Sequence, residues 1–332
     1  MRLILELALD WIWYRPNLVK WLLWPLGNIY RVAMEIRRLQ YRLGLKPVTT
    51  LPVPVIVVGN ITVGGTGKTP LVIWLASELQ TRGYRVGIVS RGYGGSAADW
   101  PQQVWSTSDP LQVGDEPVLL ARATGCPVAV GPDRVAAAQM LLATERVDVV
   151  LTDDGLQHHA LNRTMEIIVV DGERGLGNGF FLPAGPLRES KSRIDDVDAV
   201  VVNGGNWGHD GVFRAQAEGQ RLYQVAGPGQ KSLGEFRGTK VHAVAGIANP
   251  TRFFDLLEKA GISVLPYPLP DHAKLDATSL DFGDSLPIMV TEKDAVKCQS
   301  FAHENVWCVP IKLIFDARHR DLLMQRVLTH LT

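Results

Sequence analysis

Residues 59–70 read GNITVGGTGKTP and follow directly on the apolar run VPVIVV at 53–58. Glycines 64, 65 and 67 let backbone N–H groups turn inward around phosphate oxygens, and a helix starting here adds the positive end of its dipole. Lys68 can reach β- and γ-phosphates and Thr69 can offer its hydroxyl to Mg²⁺, with Thr66 and Pro70 completing the loop and the first helical turn. Counted back from Gly67, the first glycine of G-x-x-x-x-G-K-[ST] falls on Thr62. That leaves the path of the loop open, but not the parts of Lys68 and Thr69.

Such a loop needs an acidic residue at a neighbouring strand end to hold the metal. VDVVLTDDG (147–155) supplies Asp153 and Asp154 after an apolar run, facing the crevice where α/β ligands bind. Asp154-Gly155 also suits a plain turn. His158 and His159 follow in LQHH without composing a zinc site. No guanine-reading N-K-x-D is present, and TEKD at 291–294 has the order wrong, so an adenine nucleotide is the default.

Other stretches stay ambiguous on their own. SRGYGG (90–95) offers Arg91 and backbone amides to a second phosphate, or is a glycine turn. VGDEP (113–117) puts Asp115 where a helix N-cap belongs. LPAGPLRE (182–189) reads as a loop whose Arg188 and Glu189 can meet substrate, and PDHAKLD (270–276) holds His272 in a loop.

The elements that must position these residues alternate as strand and helix, which predicts a parallel α/β sheet. Strands are expected at 53–59, 84–90, 127–131, 147–153, 165–171 and 198–203. Helices are expected at 69–83, from near Glu116, and at 132–144. The turn-rich GGNWGHDG and the polar, extended VFRAQAEGQRLYQV mark a linker. A second α/β unit follows, and the chain ends in the helix DARHRDLLMQRVLTHL, which can pack on either unit.

At 332 residues the chain is long enough for about two domains. Lys+Arg and Asp+Glu both total 34, so no basic excess marks a general nucleic-acid binder. Cys126, Cys298 and Cys308 form no CxxC pair, which argues against a disulfide framework or zinc cluster and fits a reducing cytosol.

Charge gathers in residues 1–46, where Arg2, Arg15, Lys20, Arg31, Arg37, Arg38, Arg42 and Lys46 face three acids, Glu6, Asp10 and Glu35. Trp11, Trp13, Trp21 and Trp24 lie in the same stretch. Glu6 and Asp10 rule against a signal peptide. The ten uncharged residues Trp21–Tyr30, broken by Pro25 and Gly27, are too few to span a bilayer. In 28–43 the apolar Ile29, Val32, Ala33, Ile36 and Leu43 recur at helical spacing opposite Arg31, Glu35, Arg38 and Arg42, an amphipathic helix suited either to a membrane interface or to packing on its own domain.

Taken in order, VGNITVGGTGKTP, SRGYGG, VGDEP, TDDGLQHH, LPAGPLRE, Asp271-His272 and TEKDAVK resemble the tetraacyldisaccharide 4'-kinase family, the lipid A 4'-kinases of Gram-negative bacteria. Thr62 is normal within that family's loop; Ala273 stands where the family often has a second histidine. The resemblance implies two α/β/α domains, the first a P-loop NTPase-like parallel sheet, joined by an extended two-stranded linker and preceded by an amphipathic helical arm. The corresponding segments are an arm at 1–46, a kinase domain at 47–205, a linker at 206–240 and a smaller α/β domain at 241–332. The resemblance also implies transfer of the ATP γ-phosphate to the 4'-hydroxyl of an acylated glucosamine disaccharide 1-phosphate, with Mg²⁺ at Thr69, Asp153 and Asp154. It pairs Asp115 with His272 to activate the hydroxyl, and gives Arg91, His158, Arg188 and Glu189 supporting parts. A lipid acceptor favours membrane contact by the arm at the cytoplasmic face of the inner membrane, with no nucleic acid and no protein partner implied. Two rivals remain: another P-loop kinase or ligase of small metabolites, and a membrane-recruited switch ATPase.

Overall fold

The computed structural model describes residues 2–219 and 221–331, apart from the side chains of residues 2–4 and 7. Met1, Gln220 and Thr332, which fall within the arm, linker and second unit expected above, lie outside the described residues, as does the Arg2 side chain.

The chain opens with two helices, α1 (Arg2–Tyr14) and α2 (Val19–Arg42). The expected break at Pro25 and Gly27 does not occur, because α2 runs through both. Pro25 lies inside the helix, where it has no N–H for the Trp21 carbonyl one turn earlier. Gly27 is pressed against the rest of the protein: a Cβ there would sit 2.9 Å from the Phe181 carbonyl.

The first sheet begins with β1 (Val55–Gly59), α3 (Lys68–Thr81) and β2 (Val86–Ser90). A short edge strand β3 (Gln102–Val104) follows, then α4 (Pro110–Val113), α5 (Asp115–Thr124), β4 (Val128–Val130), α6 (Arg134–Thr144), β5 (Val149–Asp153) and β6 (Met165–Asp171). Next come α7 (Arg193–Asp196), β7 (Ala199–Asn203) and β8 (Phe213–Gly219). The β-branched, wholly buried runs of β1 and β5 make the sheet's centre. Asp133 caps α6 by accepting from the amides of Val135 and Ala136.

The second sheet is built from β9 (Leu222–Gln224), β10 (Gln230–Lys231), β11 (Lys240–Ala245), β12 (Ser263–Pro268), β13 (Ile288–Thr291) and β14 (Val306–Val309). Its helices are α8 (Pro250–Lys259) and α9 (Glu292–Cys298). The chain then returns to the first sheet as β15 (Ile311–Phe315) and ends in α10 (Ala317–Thr329).

Among the described residues the first sheet has the order β15-β8-β7-β6-β1-β5-β2-β4-β3, parallel from β8 to β4 with antiparallel edges. The second has the order β10-β9-β14-β13-β11-β12. The chain crosses between sheets after β8 and again between β14 and β15. Positions 205 and 240 therefore do not separate the sheets, since β8, β15 and α10 all belong with the first. Leu323, Met324 and Val327 of α10 are buried in the first sheet's core.

Strand order reverses around β1, whose neighbours β5 and β6 lie on opposite sides. Ligand crevices in open α/β sheets form at such a point, beyond the strands' carboxyl ends. Register pairs Val58 with Asp153, so the acidic strand end adjoins the turn into the glycine loop.

Candidate active site

The glycine loop leaves β1 and enters α3 through Gly67, whose φ of 98° is left-handed backbone that favours glycine. A Cβ at Gly67 would also collide with the Asn203 side-chain amide. Asn203 Nδ2 donates to the Thr66 carbonyl at 3.0 Å. From inside the loop, Asn60 Nδ2 donates to the Gly64 carbonyl at 3.3 Å and to Thr66 Oγ1 at 3.2 Å. Asn60 and Asn203 are buried, so the loop's shape is held from below by amides that have given up water for these bonds.

Thr69, at the second position of α3, donates its hydroxyl to Asp153 Oδ2 at 2.9 Å. The other Asp153 oxygen is buried without a hydrogen-bond partner. Burial pushes the Asp153 carboxyl up to about 7; Glu116 and Asp154 push the same way and Lys68 opposes them. An orphaned buried carboxylate oxygen beside a threonine hydroxyl fits a hard divalent cation that takes few protein ligands and completes its shell with phosphate oxygens and water. Among the described residues, no group of three or more His, Cys, Asp and Glu gathers around one point to cage a metal.

Asp154 behaves differently although it is the next residue. Burial would raise its carboxyl, but Lys68 and Arg188 outweigh that and hold it far below the ordinary carboxylate range. Lys68 Nζ lies 3.5 Å from Asp154 Oδ1, and Arg188 grips both carboxylate oxygens at 2.8 and 3.2 Å. Arg134 adds a bond to the Asp154 carbonyl at 3.1 Å. The backbone of Asp154 has φ 53°, the left-handed turn expected of Asp-Gly.

Asp115 does not cap α5. Gly114 occupies the cap, and Asp115 is the first helical residue. Its carboxylate instead accepts from His272 Nδ1 at 2.9 and 3.2 Å, across 157 positions of sequence. His272 sits at φ 57° with its ring 4.6 Å from that of Tyr93 in SRGYGG. On α9, Lys293 Nζ lies 3.1 Å from His272 Nε2, 3.0 Å from Glu116 Oε1 and 2.9 Å from Asp271 Oδ1. Lys297, one turn on, bonds Asp294 at 2.6 Å and lies 3.8 Å from Asp115. Burial would raise Asp115, but the His272 hydrogen bond and the charges of Lys293 and Lys297 bring it below the ordinary value. Asp115 is thus an ionised carboxylate at neutral pH.

The remaining expected residues are spread around this cleft. Arg91 is exposed at the end of β2. Glu189 is buried between Gln157 and Arg193, bonded at 2.5 and 3.0 Å. Burial and the nearby Arg134 lower the His158 imidazole to about 4, and its Nε2 is buried without a partner. The sequence reading missed Asn60, Asn203, Arg134, Arg252, Lys293 and Lys297. Asn60 and the two lysines lay inside quoted motifs without a role, while Arg252 and Asn203 carried no local signal.

The two sheets meet over the loop. A Cβ at Gly65 would sit 3.5 Å from that of Ala248, just beyond β11. Arg252 of α8 donates to Asn203 Oδ1 at 2.8 Å.

The family model described as tetraacyldisaccharide-1-P 4'-kinase matches residues 19–328. A protein named tetraacyldisaccharide 4'-kinase from Nitrosococcus oceani is 52% identical over 94% of this chain and 93% of its own length. One of the same name from Alkalilimnicola ehrlichii is 52% identical over 96% of each chain. The chain belongs to the tetraacyldisaccharide-1-P 4'-kinase family. A crystal structure of the Aquifex aeolicus family member LpxK, in complex with ATP, superposes with a TM-score of 0.79 at 27% identity, covering 95% of this chain and 100% of that one. The family match takes in α2, both sheets and every cleft residue described above.

Proposed function

We infer that this chain transfers the γ-phosphate of ATP to the 4'-hydroxyl of a tetraacyldisaccharide 1-phosphate. The observation that carries this is the family match over residues 19–328, which contains both the Lys68–Thr69 loop and the Asp115–His272 pair. ATP as donor is supported by the crystal structure of the Aquifex aeolicus relative with that nucleotide.

Phosphoryl transfer asks little covalent chemistry of a protein, so the residues act by position and charge. The amides of Gly64–Gly67 and the start of α3 cradle the phosphates, and Lys68 faces the terminal one. Thr69, Asp153 and Asp154 would hold Mg²⁺, whose charge neutralises the phosphate oxygens during transfer. Asp115, ionised and oriented by His272, accepts the proton of the attacking hydroxyl. The sugar oxygen then bonds to the γ-phosphorus as its bond to the bridging oxygen of ADP breaks. Arg188 and Arg134 fix Asp154 in place, and Arg91 stands at the cleft's rim for the acceptor or the nucleotide. His158 and Glu189 support the turn beside Asp153 and Asp154.

The arm supports a peripheral position at the cytoplasmic face of the inner membrane, where an acceptor with four acyl chains resides. No described helix is long and apolar enough to cross a membrane. Leu18, Trp21, Leu22, Trp24 and Ile29 are exposed, and exposed apolar and aromatic side chains on such a helix lie naturally at the headgroup boundary.

The test is γ-labelled ATP with the acylated disaccharide 1-phosphate in detergent micelles. Label on the lipid is the expected result. Free labelled phosphate with none on the lipid would instead point to a switch ATPase and end the kinase reading.

A further inference from the structure

Lys293 touches the Asp115–His272 pair from the side opposite Asp115. An ammonium has three donors and no acceptor, so its 3.1 Å contact with Nε2 requires that nitrogen to present a lone pair. Nδ1 must then carry the ring's single proton, and it lies 2.9 Å from the Asp115 carboxylate that accepts it. A second proton on the ring would have to be placed against a cation. Lys293 is itself held charged: burial would lower its pKa, but Glu116, Asp271 and Asp115 together hold it well above the ordinary lysine value.

We propose that Lys293 is a positioning residue that locks His272 in the neutral, Nδ1-protonated tautomer and so leaves Asp115 as the group free to take the acceptor's proton. This rests on the reading of Asp115 and His272 as the hydroxyl-activating pair. Were His272 an imidazolium, its charge would pull Asp115 down further and make it a poorer base. Every group facing the ring fits this reading. Asp115 accepts from Nδ1; the Tyr93 ring lies 4.6 Å away, tilted by 54°; Asp271 lies 3.8 Å from Nε2 but is neutralised by Lys293 at 2.9 Å. Glu116 pairs with Lys293, Lys297 balances Asp294, and Glu6 of α1 accepts the Asp271 amide at 3.3 Å.

Removing the lysine charge exposes the ring to two unbalanced carboxylates, Asp271 and Glu116, which favour the imidazolium. A neighbouring opposite charge of this kind typically raises a pKa by about 1–3 units. In Lys293→Met the acid limb of the kcat profile is therefore expected to move to higher pH by about one unit or more, while Lys293→Arg restores most of the wild-type profile. An unmoved limb in a folded Lys293→Met enzyme would overturn the proposal. A second measurement needs no change at Lys293: the ¹⁵N shifts of the His272 ring in the full-length enzyme, assigned by loss of its signals in His272→Gln. A protonated Nδ1 and an unprotonated Nε2 at pH 7.5 are expected; the reverse tautomer, or an imidazolium, refutes the lock. The pair's catalytic part is judged separately. If His272→Gln and Asp115→Asn keep full transfer, that reading falls while the ring's tautomer is still measured.

Discussion

Asp115 sits in the first turn of α5 with little water around it, yet it is held ionised by one histidine and two lysines from the second sheet. Asp115→Asn keeps the size of the side chain and an oxygen for His272 Nδ1, but removes the carboxylate proposed as base. A general base is worth about 10²–10⁴-fold, so kcat is expected to fall by that much while ATP affinity holds. Steady-state kinetics with the lipid acceptor checks this, and an unchanged kcat would reduce Asp115 to a structural residue at a helix start. The 158–159 histidines allow a pH prediction. Burial, with Arg134 at His158 and Arg163 at His159, lowers each folded-state pKa to about 4, below the ordinary value near 6.5. The folded form then refuses a proton that the unfolded chain accepts, so this contribution to stability is complete above about pH 6.5 and is lost as pH falls toward 4. His159→Gln removes one such term. The melting-temperature gap between wild type and variant should shift against wild type between pH 7 and 5; a constant gap would contradict the assignment. Little of this was legible residue by residue. Lys68 and Thr69 were, because a phosphate loop is local. Asp115 read as a helix cap because its partners lie 157 and more positions away, and only the ordered family motifs paired it with His272.

At the scale of elements the sequence reads well where burial and capping are local. β6 falls at the expected 165–171, and the strands and helices around the phosphate loop lie within a few residues of expectation. The edge strand β3 escaped notice because three residues, two of them glutamine, carry no periodicity. Residue pattern alone allows the arm two readings and the resemblance favours the membrane interface; the structure shows a docked helix with an exposed apolar stripe. Trp13 is buried and its indole donates to the Pro183 carbonyl at 2.9 Å, while Arg38 pairs with Asp196 at 3.2 Å. Gly27 and Arg38 of α2 thus face the protein, and the apolar stripe of Leu22, Ile29, Val32 and Ile36 stays exposed. Changing Leu22, Ile29 and Ile36 together to Glu spares the docking contacts. Burial of one such side chain is worth about 1.5–3 kcal/mol, so binding to phosphatidylglycerol vesicles should fall by well over about tenfold with melting temperature preserved. Full vesicle binding by this variant, measured by flotation, would remove the interfacial role.

The whole molecule brings its second sheet onto the phosphate loop through one chain of bonds that neither sheet contains alone. Arg252, near the start of α8, donates to Asn203 at the end of β7; Asn203 donates in turn to Thr66; and Gly67 leaves Asn203 the room to do so. The Asn203 amide is oriented by both ends at once, its oxygen toward Arg252 and its nitrogen toward the loop. The loop's shape is thereby tied to where α8 stands. A hydrogen bond to a charged group contributes about 1.5–3 kcal/mol, and each 1.4 kcal/mol corresponds to about tenfold. Arg252→Ala is accordingly expected to weaken ATP binding by about tenfold or more without lowering the melting temperature much, since Arg252 lies at the cleft rather than in either core. Asn203→Ala should do the same, and the double variant should be no worse than the poorer single one, because both break one connection. Additive losses would mean that the two residues act separately. Unchanged nucleotide affinity in Arg252→Ala would mean that the loop keeps its shape whatever the second sheet does. The relay was not legible in the sequence: Thr66 reads there only as part of the loop, and Arg252 and Asn203 carry no signal until the strand order sets β7 beneath the loop and the fold lays α8 above it.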